Sequence, residues 1–209
     1  MEPFIQLEGI AASMPRPNID TDAVIPAPYQ RSLSTDMGKG LFACWRYDLD
    51  GNEIPEFILN QEPFRNSQIL VAGVNFGCGS SREAAVWAIM QFGIRCVIAP
   101  SFSDIFSENS FKNGLLPIVL PEADVDALQQ HLALTNDPTL RIDLQHCLIK
   151  LADGKTIEFT LPAARRAALL EGLDEIASSL RYDDDIGRYQ DCARATMPWV
   201  YAGALKTTS

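Results

Sequence analysis

The sequence predicts an α/β domain with a C-terminal hairpin-and-helix extension. Three observations lead to it. Between residues 68 and 120, apolar runs of strand length alternate with segments of helical periodicity, in the order β-α-β-α-β. That order requires parallel strands joined by right-handed crossovers. The chain has 209 residues, of which 47% are apolar. At ~150 residues per domain this predicts one domain over 1–209 with a sizeable core, with 121–209 as an extension of that domain.

Each element has its own warrant. Residues 4–10 read as a first strand. Pro15, Pro17, Pro26 and Pro28 then punctuate a stretch of loops, because proline and the residue before it favour extended or turn geometry. Residues 27–40 are polar and glycine-containing, which predicts a mobile loop or a plain surface connection. Residues 68–74 form a buried-type strand. Ala84, Ala85, Ala88, Ile89 and Phe92 then fall at helical spacing over 80–92, and Gly93 caps the helix. A strand at 94–99, a helix at 102–112 closed by Asn113-Gly114, and a strand at 116–120 complete the alternation. A helix is expected near 124–134. Residues 148–151 and 156–161 flank Asp153-Gly154 and read as a hairpin. Residues 162–180 read as one amphipathic helix with proline near its first turn. The rest is polar, with a frayed end.

Composition narrows the function. Lys plus Arg is 17 and Asp plus Glu is 27, a net charge of −10. That argues against nucleic acid and anionic membranes as partners, and leaves a small acidic ligand open, since a few cations in a cleft can outweigh the surface. No apolar run reaches the ~18 residues of a membrane span. The start, Met1-Glu2-Pro3-Phe4, lacks the pattern of a signal peptide, so a cytoplasmic location is expected. The five cysteines include no C-x-x-C pair, and there are two histidines. Disulfide frameworks, self-contained zinc or iron–sulfur sites and Ser-His-Asp hydrolysis are therefore poorly supported.

The informative segment is Val74-Asn75-Phe76-Gly77-Cys78-Gly79-Ser80-Ser81-Arg82-Glu83. It joins a strand to a helix, where ligands gather in open α/β sheets. Gly77 and Gly79 allow close backbone approach, and the first helical amides favour an anion. Arg82 occupies the place where a dinucleotide fingerprint needs a small residue, and neither a P-loop nor a G-x-S-x-G elbow is present. Ser80 and Glu83 have the spacing of a capping box, so Ser80 reads equally as an N-cap. Arg82 opposes the helix dipole. It reads either as a grip on a carboxylate or phosphate or as a salt bridge to an acidic neighbour. Asn18-Ile19-Asp20-Thr21-Asp22 is a second polar cluster, readable as catalytic orientation or as a solvated turn. Cys78 reads as a reactive thiol or a small packing residue, and the three tryptophans as packing; Asn109, Ser110 and Asn113 read as helix and turn geometry, and the histidines as surface.

The segment 75–83 closely resembles the 3-isopropylmalate dehydratase small-subunit family, the leucine-pathway branch of the aconitase superfamily. The resemblance continues through 18–22 with Ile25-Pro26, 99–106, 109–111, 115–117, 172–176 and 184–189. It implies a swivelling β/β/α domain, like the mobile last domain of aconitase. It implies isomerisation of 2-isopropylmalate to 3-isopropylmalate by dehydration and rehydration. The partner would be a large subunit carrying a [4Fe-4S] cluster, whose iron draws off the hydroxyl; this chain would bind no cofactor. Matched position by position, Ser80 is the base; Ser81 and Arg82 bind substrate; Asp22, with Thr21, is an active-site position; Gly79 lies in the binding loop. Arg31 is a further carboxylate contact on a loop that helps choose the substrate side chain.

Two departures stand out. The family usually has histidine after Ser-Ser-Arg-Glu, where this chain has Ala84. The loop at 27–33 reads Ala-Pro-Tyr-Gln-Arg-Ser-Leu rather than the family's Lys-Gln/Glu-Phe/Tyr-Leu type. They leave two alternatives beside the isopropylmalate reading: a paralogous hydratase for a related diacid of the citraconate/methylmalate type, and a non-catalytic anion-binding module.

Overall fold

The computed structural model describes residues 1–30, 36–79 and 82–201. Their contacts divide the chain into two compact units, Met1–Gly172 and Leu173–Ser209. The expected extension from 121 onward is thus split: 121–172 contributes to the first unit's sheet and core.

The first unit begins with β1 (Gln6–Met14), followed by three one-turn helices, α1 (Thr21–Val24), α2 (Met37–Gly40) and α3 (Ala43–Arg46). The alternating part follows: β2 (Ile69–Ala72), α4 (Glu83–Phe92), β3 (Cys96–Ala99), α5 (Asp104–Asn113) and β4 (Leu116–Val119). Then come α6 (Glu122–Leu134), β5 (Thr139–Asp143), β6 (Leu148–Leu151), β7 (Thr156–Glu158) and α7 (Ala163–Glu171). The strands form one sheet in the order β4-β3-β2-β1-β5-β6-β7. The β4-β3-β2-β1 half is parallel, as the alternation requires. From β1 to β7 the pairing is antiparallel. Pro117 pairs with Val97 in β4, which is the edge strand, where a missing N–H is tolerated.

Successive side chains of a strand point to opposite faces, and here both faces are covered. Leu70, Ala72, Val97 and Ala99 join α4 and the short helices in one core, with Phe42 and Phe76. Ile69, Val71, Cys96 and Ile98 join α6 and α7 in the other. Double burial explains why the central strands are unbroken apolar runs.

Four expectations are corrected. The first strand runs from Gln6 to Met14 rather than over 4–10, because its second half pairs with β2. β5 went unforeseen and supplies the antiparallel partner of both β1 and β6. The helix expected over 162–180 ends at Gly172, whose φ of 68° is left-handed and whose N–H closes back on Leu169 O. Part of the expected mobile loop is ordered: 27–30 is a 3₁₀ turn, and α2 is capped by Asp36. A Cβ at Gly38 would stand 2.8 Å from the Gln91 backbone. Residues 31–35 lie outside the described residues.

The second unit comprises α8 (Glu175–Leu180), α9 (Asp183–Thr196) and α10 (Pro198–Tyr201). The polar tail after Arg181 is thus largely helical up to Tyr201, and the end read as frayed lies outside the described residues. Asp174 caps α8 by accepting from Ala177 N–H at 2.7 Å. Asp183, Asp184 and Asp185 sit in the first turn of α9, where negative charge is favoured. No helix of the described residues is long and apolar enough to cross a membrane.

Candidate active site

The site is built at the carboxyl ends of β1, β2 and β3, where the three chains continue side by side beyond the sheet. Asn18 N–H donates to Val74 O at 2.8 Å, Gly77 N–H to Ile19 O at 2.7 Å, and Thr21 N–H to Cys78 O at 3.0 Å. On the far side, Phe76 N–H donates to Ser101 O and Ser103 N–H to Phe76 O, each at 3.0 Å. The glycine loop is thereby laced between the Asn18–Thr21 arm and the Ser101–Ser103 arm. Beneath it, Phe76 packs edge-on against Phe102 and Phe106, with ring centroids 6.2 and 5.2 Å away. Gly77 has φ 72°, and a Cβ there would stand 2.3 Å from the Phe106 ring. Only glycine fits both the conformation and the space.

On the first arm, Asp20 caps α1 by accepting from Ala23 N–H at 2.7 Å. This turn buries Thr21 and leaves Asp22 exposed, with 60% of its side chain accessible. On the glycine-loop arm, Arg82 immediately precedes α4. Its guanidinium pairs with the Asp22 carboxylate. The two polar clusters singled out from the sequence therefore meet across 60 residues. Gly79 is left-handed, at φ 92°, and faces Asp20 and Thr21. Four of the sequence-predicted site residues, Thr21, Asp22, Gly79 and Arg82, thus belong to one loop assembly. Ser80, Ser81 and Arg31 lie outside the described residues.

The capping box is corrected. The N-cap of α4 is Arg82, extended at φ −136° and ψ 107°, and it makes no side-chain cap. Glu83 accepts from Asn113 Nδ2 at 2.8 Å. Asn113 Oδ1 in turn accepts from Trp87 Nε1 at 3.0 Å. The spacing is that of a capping box, but the N-cap is two residues later and α5 supplies Glu83 with a donor. An extended Arg82 carries its cation towards the first arm rather than along the helix. Ala84, where the family usually has histidine, packs partly buried against the core.

An Arg–Asp pair this exposed contributes ~0–1 kcal/mol to stability. Exchanging its carboxylate for a ligand's is therefore inexpensive, and a guanidinium can hold a carboxylate through two parallel bonds. A cavity of about 600 Å³ lies beyond α1, lined by Pro26, Tyr29, Lys39, Cys44, Tyr47 and Leu49 among others. It borders the 27–40 segment, and its lining among the described residues does not include Thr21, Asp22, Gly79 or Arg82.

Sequence reasoning gave no role to Asn18 and Asn75. Both have left-handed backbones, at φ 55° and 60°, and Asn75 Nδ2 donates to Asn18 Oδ1 at 2.8 Å. The available signal was asparagine's tolerance of that conformation. Among the described residues, no group of three or more His, Cys, Asp or Glu is placed to hold a metal ion. Cys96 is fully buried, and burial pushes its thiol well above the usual range. The described residues do not fit a resident iron–sulfur cluster.

Comparison with known proteins identifies the family. The aconitase C-terminal domain family matches residues 1–123. The 3-isopropylmalate dehydratase small subunit of Dinoroseobacter shibae is 50% identical over 201 residues, covering 96% of this chain and 100% of that protein. That of Gluconobacter oxydans is 47% identical over 208 residues, covering 99% and 100%. The crystal structure of 3-isopropylmalate dehydratase from Methanocaldococcus jannaschii superposes with a TM-score of 0.62 at 28% identity, covering 89% of this chain and 99% of that one. The fold is therefore that of the last domain of aconitase. With relatives matching nearly its whole length, the chain belongs to the small-subunit family of 3-isopropylmalate dehydratase, hydro-lyases that work with a large subunit.

Proposed function

We propose that this chain, with a large subunit, interconverts 2-isopropylmalate and 3-isopropylmalate in leucine biosynthesis, and that its part is to deprotonate and orient the diacid. Ser80 is the base. It takes the proton from the carbon next to a carboxylate, and returns one to the unsaturated intermediate in the reverse direction. A serine oxygen is a weak base in water, so it requires stabilisation by neighbouring backbone amides and a cation. Arg82 holds a substrate carboxylate, displacing Asp22, and stabilises charge that grows on it as the proton leaves. Ser81, Gly79 and Thr21 contact the substrate, and Arg31 supplies a second carboxylate contact. The [4Fe-4S] cluster belongs to the large subunit, and departure of the hydroxyl is that subunit's part of the reaction. The complex works in the cytoplasm.

One observation carries this reading. The Arg82 guanidinium is set by an extended N-cap at the carboxyl ends of parallel strands, against a carboxylate exposed enough to exchange. The test is reconstitution with a cluster-loaded large subunit. Turnover of 2-isopropylmalate is expected only in the mixture, with kcat/KM above that for methylmalate. A preference for methylmalate selects the paralogous hydratase. Anion binding by the isolated chain, with no turnover alongside any large subunit, selects the non-catalytic module.

A further inference from the structure

We infer that Asn18 and Asn75 form a latch that fixes the Asp22 arm against the Arg82 arm, and that both are positioning residues for the reaction; this rests on the function proposed above. Four observations converge on the pair. Each residue is a non-glycine with a left-handed backbone. Each stands immediately before a buried anchor, Ile19 at 2% exposure and Phe76 at 0%. Their carboxamides meet at 2.8 Å across 57 residues of chain. Asn75 N–H also donates to Ser101 Oγ at 2.9 Å, joining the third arm.

Left-handed backbone costs a non-glycine residue ~1 kcal/mol, and less for asparagine. Here two such turns lie side by side, where the chain leaves β1 and β2. The turn at Asn18 sends the first arm towards Asp22. The turn at Asn75 sends the second through the glycine loop to Arg82. The Gly77–Ile19 and Thr21–Cys78 bonds then follow in register. The carboxamide pair lies on the open side, since Asn18 is exposed, so it contributes little to the core. Its consequence is relative placement of the two arms, and misplacing reacting groups by ~1 Å can cost a hundredfold in rate.

The test uses Asn18→Gly, Asn75→Gly and the double variant in the reconstituted complex. Glycine keeps the left-handed backbone and removes only the carboxamide. Each single variant is expected to lower kcat/KM for 2-isopropylmalate by about tenfold or more, with the melting temperature of the isolated chain nearly unchanged. The second glycine should add little to the first, because the latch is already open. Asn18→Asp, which keeps an acceptor for the Asn75 Nδ2 amide, should retain most activity. Full activity in the single variants, or independent and additive losses, overturns the latch. Hydrogen exchange at the Thr21 and Gly77 amides of the isolated chain gives a readout free of turnover. Exchange should quicken in Asn75→Gly, and unchanged protection overturns the latch even if no complex is active. If the wild-type complex does not turn over while exchange quickens, the proposed function fails and the latch stands.

Discussion

Arg82 and Asp22 show how two competing readings of one residue can both hold. The sequence placed a cation where a helix dipole disfavours it, and offered a salt bridge or a carboxylate grip as the reason. The salt bridge exists, and in the proposed mechanism its exposure would let a substrate carboxylate replace Asp22. Arg82→Lys removes the two-bond grip but keeps the charge. It should lower kcat/KM by about 10²-fold, about 2.7 kcal/mol, chiefly through KM, in steady-state assays of the complex. Of the two readings open for Ser80, the cap is the one set aside, because Arg82 is the N-cap of α4. Spacing could not reveal that Asn113, 30 residues on, would claim Glu83. A separate residue-scale prediction concerns pH. The His146 side chain, His146 N–H and Gln6 all bond Asp143, holding its carboxyl below the usual range despite burial. A depressed folded pKa stabilises at neutral pH and is lost as pH falls through ~4 towards the folded value. Asp143→Asn should therefore lower the melting temperature at pH 7, with the gap to wild type narrowing below about pH 4.

At the scale of elements, whatever rests on strong periodicity was legible. β2, α4, β3, α5 and β4 appear in the expected order and pairing. β5 was missed although Leu140 and Ile142 alternate with polar neighbours, because five residues after Pro138 give a weak signal beside the clearer hairpin. α9 has no wide apolar stripe and contains Gly187. It is supported instead by acidic residues in its first turn and by ion pairs three residues apart, Asp185 with Arg188 and Asp191 with Arg194. The glycine loop depends on the aromatic floor beneath it. Gly77→Ala would force a methyl group into Phe106 at a left-handed position. It should destabilise the chain by ~2–4 kcal/mol in denaturant unfolding. Arg46 ties α2 to the core. Its buried guanidinium donates to Asn60 Oδ1 and to the Gly38 and Leu41 carbonyls. Arg46→Met should cost ~1–3 kcal/mol by leaving those acceptors unsatisfied.

For the whole molecule, the sheet's change from parallel to antiparallel at β1 determines where function can sit. The parallel half ends in the arms that carry Thr21, Asp22, Gly79 and Arg82, while β5 to β7 extend the sheet away from them. That half was legible because both its faces are buried and its strands are continuous apolar runs. The split of the chain at Gly172 was not legible, because one left-handed glycine within an amphipathic pattern looks like an interruption rather than an end. The net charge of −10 is compatible with the proposed diacid ligand, because the proposed recognition is local to Arg82 and its neighbours. The most direct measurement is turnover of 2-isopropylmalate by the complex of Ser80→Ala with the cluster-loaded large subunit. A fall of about 10²–10⁴-fold in kcat, with co-purification of the two subunits unchanged, is the predicted result. Near-normal turnover in an intact complex would contradict the assignment of the base at position 80.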